Sequence, residues 1–275
     1  MRITSKHATP LWLIYLLLHV FNQTLYAHIE KPMVIVIPSY NNDRWYKQNL
    51  DSVFCQKYSN YRVVYINDCS TDCTYQLVCD YIDQHGLSDR ITIINNQKNV
   101  GALANLYNVI HTLSDYAIVV ALDGDDTLAH DLVLAKVNTA YADCATWLMY
   151  SQFSLQSSGR PGWNTGCSKE SIDNAIDRGH SPTHLRTFYA GLFKKIKQED
   201  LIHEGDFFVM AWDAAIMFPM MEMARDNHVK FVPEILYCYN DTNPMSDDKK
   251  NRALQIKLAQ IIKSKKRYVP IEALL

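Results

Sequence analysis

The sequence predicts an α/β fold, a three-layer αβα sandwich around a mostly parallel central sheet. Two observations carry that expectation. Short runs rich in Val and Ile alternate with helix-length amphipathic segments between Met33 and Leu113. The runs are also nearly continuous in apolar residues, as strands are when helices cover both faces of their sheet. With 275 residues, 48% of them hydrophobic and 20% charged, the chain is ordinary globular material, enough for one large domain or a domain with an appendage.

In chain order, the first feature is "LWLIYLLLHVF", Leu11 to Phe21, behind Arg2 and Lys6. As a helix it would span roughly 17 Å, short of the roughly 30 Å hydrocarbon core. A basic start, a short apolar stretch and a small residue at Ala27 read as a secretory signal peptide or membrane anchor over residues 1–27. That places the protein in the secretory pathway, exported or membrane-associated through its N-terminus. The expected strands are "MVIVIP" (Met33 to Pro38), "YRVVYIND" (Tyr61 to Asp68), "ITIINN" (Ile91 to Asn96) and "YAIVVALD" (Tyr116 to Asp123). Between them, "DRWYKQNLDSVFCQKY" places Trp45, Leu50, Val53 and Phe54 at helical spacing. "STDCTYQLVCDYIDQHG" runs from a Ser70 or Thr71 cap to Gly86, and "VGALANLYNVIHTL" sets Leu103, Leu106, Val109, Ile110 and Leu113 on one side. The segment Gln156 to Arg186 is polar and reads as a loop-rich excursion.

Ligands of parallel sheets gather beyond the carboxyl ends of the strands. That rule aligns Pro38 to Tyr40, Asp68, Asn95 to Asn99 and Asp123 to Asp126 along one edge. The last cluster, in "VVALDGDDTLAHD", puts three carboxylates, Asp123, Asp125 and Asp126, within four positions after a buried strand. Repulsion and desolvation oppose such a cluster unless a cation or fixed donors sit beside it. A cap for the following "LAHDLVLAKVNTAY" segment, from Asp126 or Thr127, would account for one of the three. Hard octahedral ions, Mg²⁺ or Mn²⁺, suit carboxylates combined with water and phosphate oxygens.

Several classes are disfavoured. A formal charge of -2 gives no basic footprint for nucleic acid. Neither G-x-G-x-x-G nor the P-loop occurs. The seven cysteines include no CxxC pair, and no His falls at zinc-finger spacing, so they read as buried free thiols. "KSKKR", Lys263 to Arg267, reads as a solvated helix face.

The ordered pieces "VIVIPSYNN", "NLDSVFCQKYSNYRVVYINDCSTDCT", "NNQKNVGALANLYNVI" and "YAIVVALDGDDTL", covering roughly Val34 to Leu128, resemble a family 2 glycosyltransferase of the GT-A fold. The resemblance implies a nucleotide-sugar-binding half over 31–128 and an acceptor-side half over 129–275. It also implies an enzyme that moves a sugar from a nucleoside-diphosphate sugar, a UDP-sugar first, to a glycan, lipid or protein hydroxyl with inversion. Pro38, Ser39 and Tyr40 would frame the base, Asp68 would contact it, and Asn99 and Gly101 would line the same donor site. Asp123 and Asp125 would form the D-x-D element, with Asp125 the direct metal ligand and Asp123 and Asp126 supporting. Two departures stand out: "GALANLYN" carries Asn105 and Asn108 but no arginine where relatives have Ala-Arg-Asn, and Asn67 and Cys69 flank Asp68 where relatives often read Asp-Asp-Gly-Ser.

An inverting transfer needs a base on the acceptor side. Glu204, Asp206 and Asp213 are the candidates in "HEGDFFVMAWDAAIMFPMMEMA", and Asp213, which a first-turn helix position would also explain, is the one chosen. Met217, Met220, Met221 and Met223 read as core. His184 and Arg186 are candidates for phosphate or acceptor contacts, or for structural duty, and Trp163 for stacking on a sugar ring or for packing. The sequons at Asn22 and Asn240 are short enough to arise by chance. Two other classes stay open, a catalytically silent nucleotide-sugar-binding protein and a nucleotidyltransferase, although "PSYNNDRW" lacks the glycine such a phosphate loop needs.

Overall fold

Alternation along the first and fourth strands builds two cores at once. In β1 (Met33–Ser39), Met33, Ile35 and Ile37 join one buried cluster while Val36 joins another. In β4 (Ile118–Ala121), Ile118 and Val120 face the first cluster, and Val119 and Ala121 the second. A strand whose successive side chains point to opposite faces can do this only if both faces are covered. Helices α1 (Tyr46–Phe54), α2 (Thr74–His85) and α4 (Val133–Tyr141) close one side through Leu50, Val53, Val78, Ile82, Val133 and Val137. The other side is closed by α3 (Ala102–Ile110), α6 (Trp212–Ala224) and α8 (Arg252–Ser264). The outcome is the three-layer arrangement expected. The computed structural model describes residues 29–166 and 183–274. The apolar Leu11 to Phe21 stretch, read above as a signal peptide or anchor, lies outside the described residues.

The sheet has eight strands in the order β3-β2-β1-β4-β7-β6-β10-β5, with β2 (Tyr61–Asn67), β3 (Ile91–Asn95), β5 (Thr127–Leu128), β6 (Leu148–Leu155), β7 (Arg186–Tyr189) and β10 (Val229–Tyr239) joining the two strands above. Pairings β1–β2, β2–β3, β1–β4 and β6–β10 are parallel. β7 runs antiparallel between β4 and β6, and β5 antiparallel to β10. Strand order reverses at β1, whose neighbours are β2 and β4. A crevice opens at such a reversal, beyond the carboxyl ends. A short helix α5 (Ala190–Phe193), a ribbon of β8 (Ile202–His203) and β9 (Asp206–Phe207), and a one-turn α7 (Asp247–Lys250) complete the chain.

The strands expected from sequence all occur: the first is extended by one residue, the second and third are trimmed by one, and the fourth is trimmed by two at each end. Helix α2 ends on Gly86 at φ 63° as expected. Its start is different: neither Ser70 nor Thr71 caps it, and Asp72 Oδ1 instead accepts from the Thr74 amide (2.9 Å) and hydroxyl (2.6 Å). Asp126 and Thr127 cap nothing either, because the segment after them forms β5 and α4 starts only at Val133. The methionines of α6 are core, at most 2% exposed. The six cysteines among the described residues are free, but Cys55, Cys73 and Cys144 are exposed rather than buried.

Candidate active site

The crevice is assembled from loops that follow β1, β2, β3 and β4. After β1, Ser39 is buried and its Oγ accepts from the Tyr65 hydroxyl (2.7 Å) and the Asn42 amide (3.0 Å). Pro38 is buried beside it, while Tyr40 exposes its ring, with Lys250 Nζ 5.9 Å from the ring centroid. After β2, Asp68 is 3% exposed. Its carboxylate accepts from the backbone amides of Val100 (3.0 Å) and Gly101 (2.8 Å) and from Asn96 Nδ2 (2.8 Å). Asn99 Nδ2 returns a bond to the Asp68 carbonyl at 3.1 Å. Asp68, Asn99 and Gly101 thus form a knot between the second and third loops, and Gly101, at φ 86°, supplies the left-handed turn into α3.

The knot leaves two polar atoms orphaned. Asn67 gives Nδ2 to Asn95 at 2.8 Å, but its buried Oδ1 has no partner among the described residues. Asn105, in the triplet that departs from the family pattern, accepts from Asn96, and its Nδ2 has no partner among the described residues. Buried polar groups are nearly always satisfied, so these two atoms are available to a water or a bound ligand.

The acidic loop after β4 is held from three directions. Asn49 of α1, fully buried, donates Nδ2 to the carbonyls of Asp123 (3.0 Å) and Asp126 (2.8 Å). Gly124 packs so tightly under the β1 loop that a Cβ there would stand 2.7 Å from Ser39 Cβ and Oγ, so only glycine fits. From the far end of β10, the Asn240 amide donates to Asp126 Oδ1 and the Tyr237 hydroxyl to Asp126 Oδ2, both at 2.6 Å. Asn243 Nδ2 donates to Asp125 Oδ2, also at 2.6 Å. Asn240 is fully buried, so its sequon is part of this clasp and offers no glycan attachment.

The carboxylates therefore differ. Asp126 is 1% exposed, and burial, then the neighbouring Asp125 and Asp123 charges, push its carboxyl well above the usual range. Burial and Asp123 lift Asp125 to about 6, against the bond from Asn243. Asp123 is partly open and pairs with the buried Arg186 guanidinium at 2.7 Å. Arg186 lies over the Trp212 ring at 4.4 Å, and Asp213 acts on its charge alongside Asp123. Burial raises the Asp213 carboxyl, and Arg186 opposes that rise.

A metal set also emerges. Asp123, Asp126 and His184 each offer one ligand atom, all within 4.8 Å of one another. Burial and then Arg186 push the His184 pKa well down, which favours the neutral ring, and its buried Nδ1 has no hydrogen-bond partner among the described residues. A neutral imidazole with a vacant nitrogen between two carboxylates is a donor set suited to a divalent cation. The donor chemistry fits the divalent ion expected from sequence. Asp125, expected to coordinate directly, lies outside this group and is engaged by Asn243. Of the base candidates, Asp213 lies beside Arg186 and the acidic loop, whereas Glu204 and Asp206 sit exposed at the β8–β9 ribbon. Asn49, Tyr237, Asn240 and Asn243 were missed, because nothing in their local sequence shows that they approach residues 74 to 118 positions away.

Comparison with known proteins agrees with this architecture. The model for glycosyl transferase family 2 matches residues 34–205. The putative glycosyltransferase EpsE of Bacillus subtilis is 31% identical over 93 residues, 34% of this chain and 32% of that protein, so the match spans about a third of EpsE. Among solved structures, residues 1–349 of S. aureus TarS in complex with UDP-GlcNAc superpose with a TM-score of 0.59 at 14% identity, covering 84% of this chain and 66% of that one. Mannosyltransferase PcManGT from Pyrobaculum calidifontis, in complex with GDP-Man and Mn²⁺, gives 0.61 at 16% identity, covering 92% and 73%. At those identities the likeness concerns the fold, a GT-A fold.

Proposed function

This chain belongs to glycosyl transferase family 2, and we propose that it transfers a sugar from a nucleoside-diphosphate donor to an acceptor hydroxyl, inverting the sugar carbon. One observation carries the reading. Arg186, buried, ties Asp123 of the acidic loop to the side where Asp213 opens α6. Donor-side and acceptor-side carboxylates thus meet at a single crevice on the strand reversal.

The steps follow from the residues. The base of the donor enters between Ser39, Tyr40 and the Asn67–Asp68 turn, where the Asn67 Oδ1 orphan accepts a ring N–H. Asp123, Asp126 and His184 would hold the divalent ion, and the imidazole tilts the set toward Mn²⁺ over Mg²⁺. When bound, such an ion neutralises charge on the departing diphosphate. Asp213 takes the proton from the acceptor hydroxyl as its oxygen bonds the sugar carbon and the bond from that carbon to the diphosphate breaks. A carboxylate whose pKa burial has raised is a stronger base than an exposed one, and Arg186 keeps it ionised until the proton arrives. Support for a nucleotide-sugar donor comes from the ligands named for the TarS and PcManGT complexes.

The test has two parts. Thermal shift with UDP-GlcNAc, GDP-mannose and related donors, with and without Mn²⁺, reads donor and metal binding. Asp213→Asn should bind the donor as the wild type does while losing at least 100-fold in transfer to water or acceptor. His184→Ala should weaken Mn²⁺ binding by at least about 10-fold. A wild type that binds donor but neither hydrolyses nor transfers it would make the protein a silent nucleotide-sugar binder.

A further inference from the structure

Trp163 is the one exposed tryptophan among the described residues, at 58%. It is held there by a rigid turn. Ser154 bridges Pro161, and the Gly162 amide donates to the Phe153 carbonyl at 2.7 Å. A Cβ at Gly162 would stand 2.1 Å from the Phe153 ring, so the chain lies directly on that ring. On the other side, Asn164 Nδ2 donates to the carbonyls of Ser151 (2.8 Å) and His184 (2.7 Å). Gln152 Nε2 donates to the Asn164 carbonyl at 3.0 Å, and the Tyr150 hydroxyl to the Thr165 carbonyl at 2.6 Å. Both flanks of the indole are pinned, and one of the pins is the backbone of a candidate metal ligand.

The ring is also the outer end of an aromatic path to the site. Trp163 meets Phe153 edge-on at 4.9 Å between centroids, and Phe153 meets His184 at 5.2 Å. His184 in turn stacks on Tyr237 at 4.4 Å. The indole is therefore two ring-to-ring contacts, by way of the buried Phe153, from the candidate metal group.

The surroundings define the ligand. Arg160 and Thr165, three residues before and two after the indole in the chain, are exposed, and no other large exposed apolar side chain occurs among residues 133–166. A lipid or a protein partner would need a wider apolar patch. A pyranose does not: it offers one C–H face to an aromatic ring and hydroxyls at its rim to polar neighbours. Trp suits the task because its rigid, amphipathic surface loses little conformational freedom on contact.

We propose that Trp163 is a carbohydrate platform on the acceptor side, stacking on a sugar one unit from the reacting hydroxyl, so that the acceptor is a glycan or glycoconjugate of at least two sugars. This rests on the transferase reading above, and it is tested without any donor. Tetrasaccharides of glucose, N-acetylglucosamine, mannose and galactose are titrated into the full chain, with binding read by saturation-transfer NMR and indole fluorescence. At least one should bind, with affinity reduced 10-fold or more in Trp163→Ala and less in Trp163→Tyr, while the melting temperatures stay together. Binding by none of the four, or equal binding by Trp163→Ala, overturns the proposal. So does a blue shift of wild-type emission, lost in Trp163→Phe, on phosphatidylglycerol vesicles with no response to saccharide. Failure of donor binding in the separate UDP-GlcNAc and GDP-mannose assay would overturn the transferase reading while leaving saccharide binding to be read on its own.

Discussion

Replacing Arg186 with Met should destabilise the metal-free protein by about 3–4 kcal/mol, a large share of the 5–15 kcal/mol typical of a folded domain. Arg186 is 1% exposed, and its Nη2 lies 2.7 Å from Asp123 Oδ2. Gross attraction at that distance is about 6 kcal/mol at an effective dielectric near 20, before the desolvation of both ions is subtracted. Deleting one partner of a buried pair costs about 3–5 kcal/mol because the other charge stays buried and unpaired. Asp123 keeps 26% exposure, so the lower end applies, and the lost contact with the Trp212 ring adds roughly 1 kcal/mol. At about 2–4 °C per kcal/mol for a chain of this size class, the melting temperature should fall by roughly 10 °C in EDTA.

The same substitution has a signed pH dependence. Asp125, Asp126 and Asp213 already have raised folded pKa values, and loss of the guanidinium raises the acids near it further. A raised carboxyl favours folding below its unfolded pKa and loses that contribution as pH rises through the folded value. The deficit of Arg186→Met should therefore be larger at pH 8 than at pH 5. Asp123→Asn in the same chain should recover part of it, as a double-mutant cycle in urea would report. A melting temperature within about 2 °C of wild type, or a cycle showing no coupling, would refute the ion-pair argument.

Three other outcomes follow from the same contacts. Asn49→Ala removes the donor to two buried carbonyls of the acidic loop and should cost about 1–3 kcal/mol in urea denaturation, with weaker donor binding. Gly124→Ala forces a methyl against Ser39 and Asn42 at 2.7 Å; an overpacking cost of about 1–3 kcal/mol and a loosened donor site should appear together. In EDTA, wild-type stability should fall between pH 4 and pH 6, because Asp125, lifted to about 6, keeps its proton in the folded state while the unfolded chain releases it, a contribution of roughly 2 kcal/mol. Asp125→Asn should flatten that slope in chemical denaturation, and an unchanged slope would assign the effect to other groups.

What the sequence made legible is what local periodicity controls. Val34 to Val36 and Val119 to Ala121 alternate between two cores, and a chain read two residues at a time reveals that. Gly86 ending α2 at positive φ is likewise a local event. The acidic loop was found for the same reason: like charges after a buried strand are anomalous within a few residues. Asp123 and Asp126 could be named from sequence, but the imidazole that joins them comes from residue 184 through the sheet order β1-β4-β7. The expectation that Asp125 leads the coordination rested on motif spacing. Spacing carries no information about Asn243, whose Nδ2 reaches Asp125 Oδ2 from beyond β10. Caps were misread where side-chain chemistry is shared among neighbours: Ser70, Thr71 and Asp72 can all cap, and geometry chose Asp72.

The distribution of charge explains why so much of the molecule is spent on holding one loop. Asp123 and Asp213 act on the buried Arg186, while Asp125 and Asp126 crowd Asp123, with Lys249 acting on Asp125 from an exposed position. In the metal-free chain the excess negative charge is relieved by raised carboxyl pKa values and by neutral donors, Tyr237, Asn240 and Asn243. Neutral donors satisfy hydrogen-bonding capacity without cancelling charge, so the site keeps its electrostatic demand for a cation. A divalent ion would offset that imbalance, and a diphosphate, which the carboxylates alone would repel, would meet the ion's charge on binding. Binding of the two should therefore be mutually strengthening, and by linkage each must raise the affinity of the other by the same factor. That reciprocity is measurable by titrating Mn²⁺ with and without UDP; equal Mn²⁺ affinity in both would mean that charge compensation is not what organises this loop.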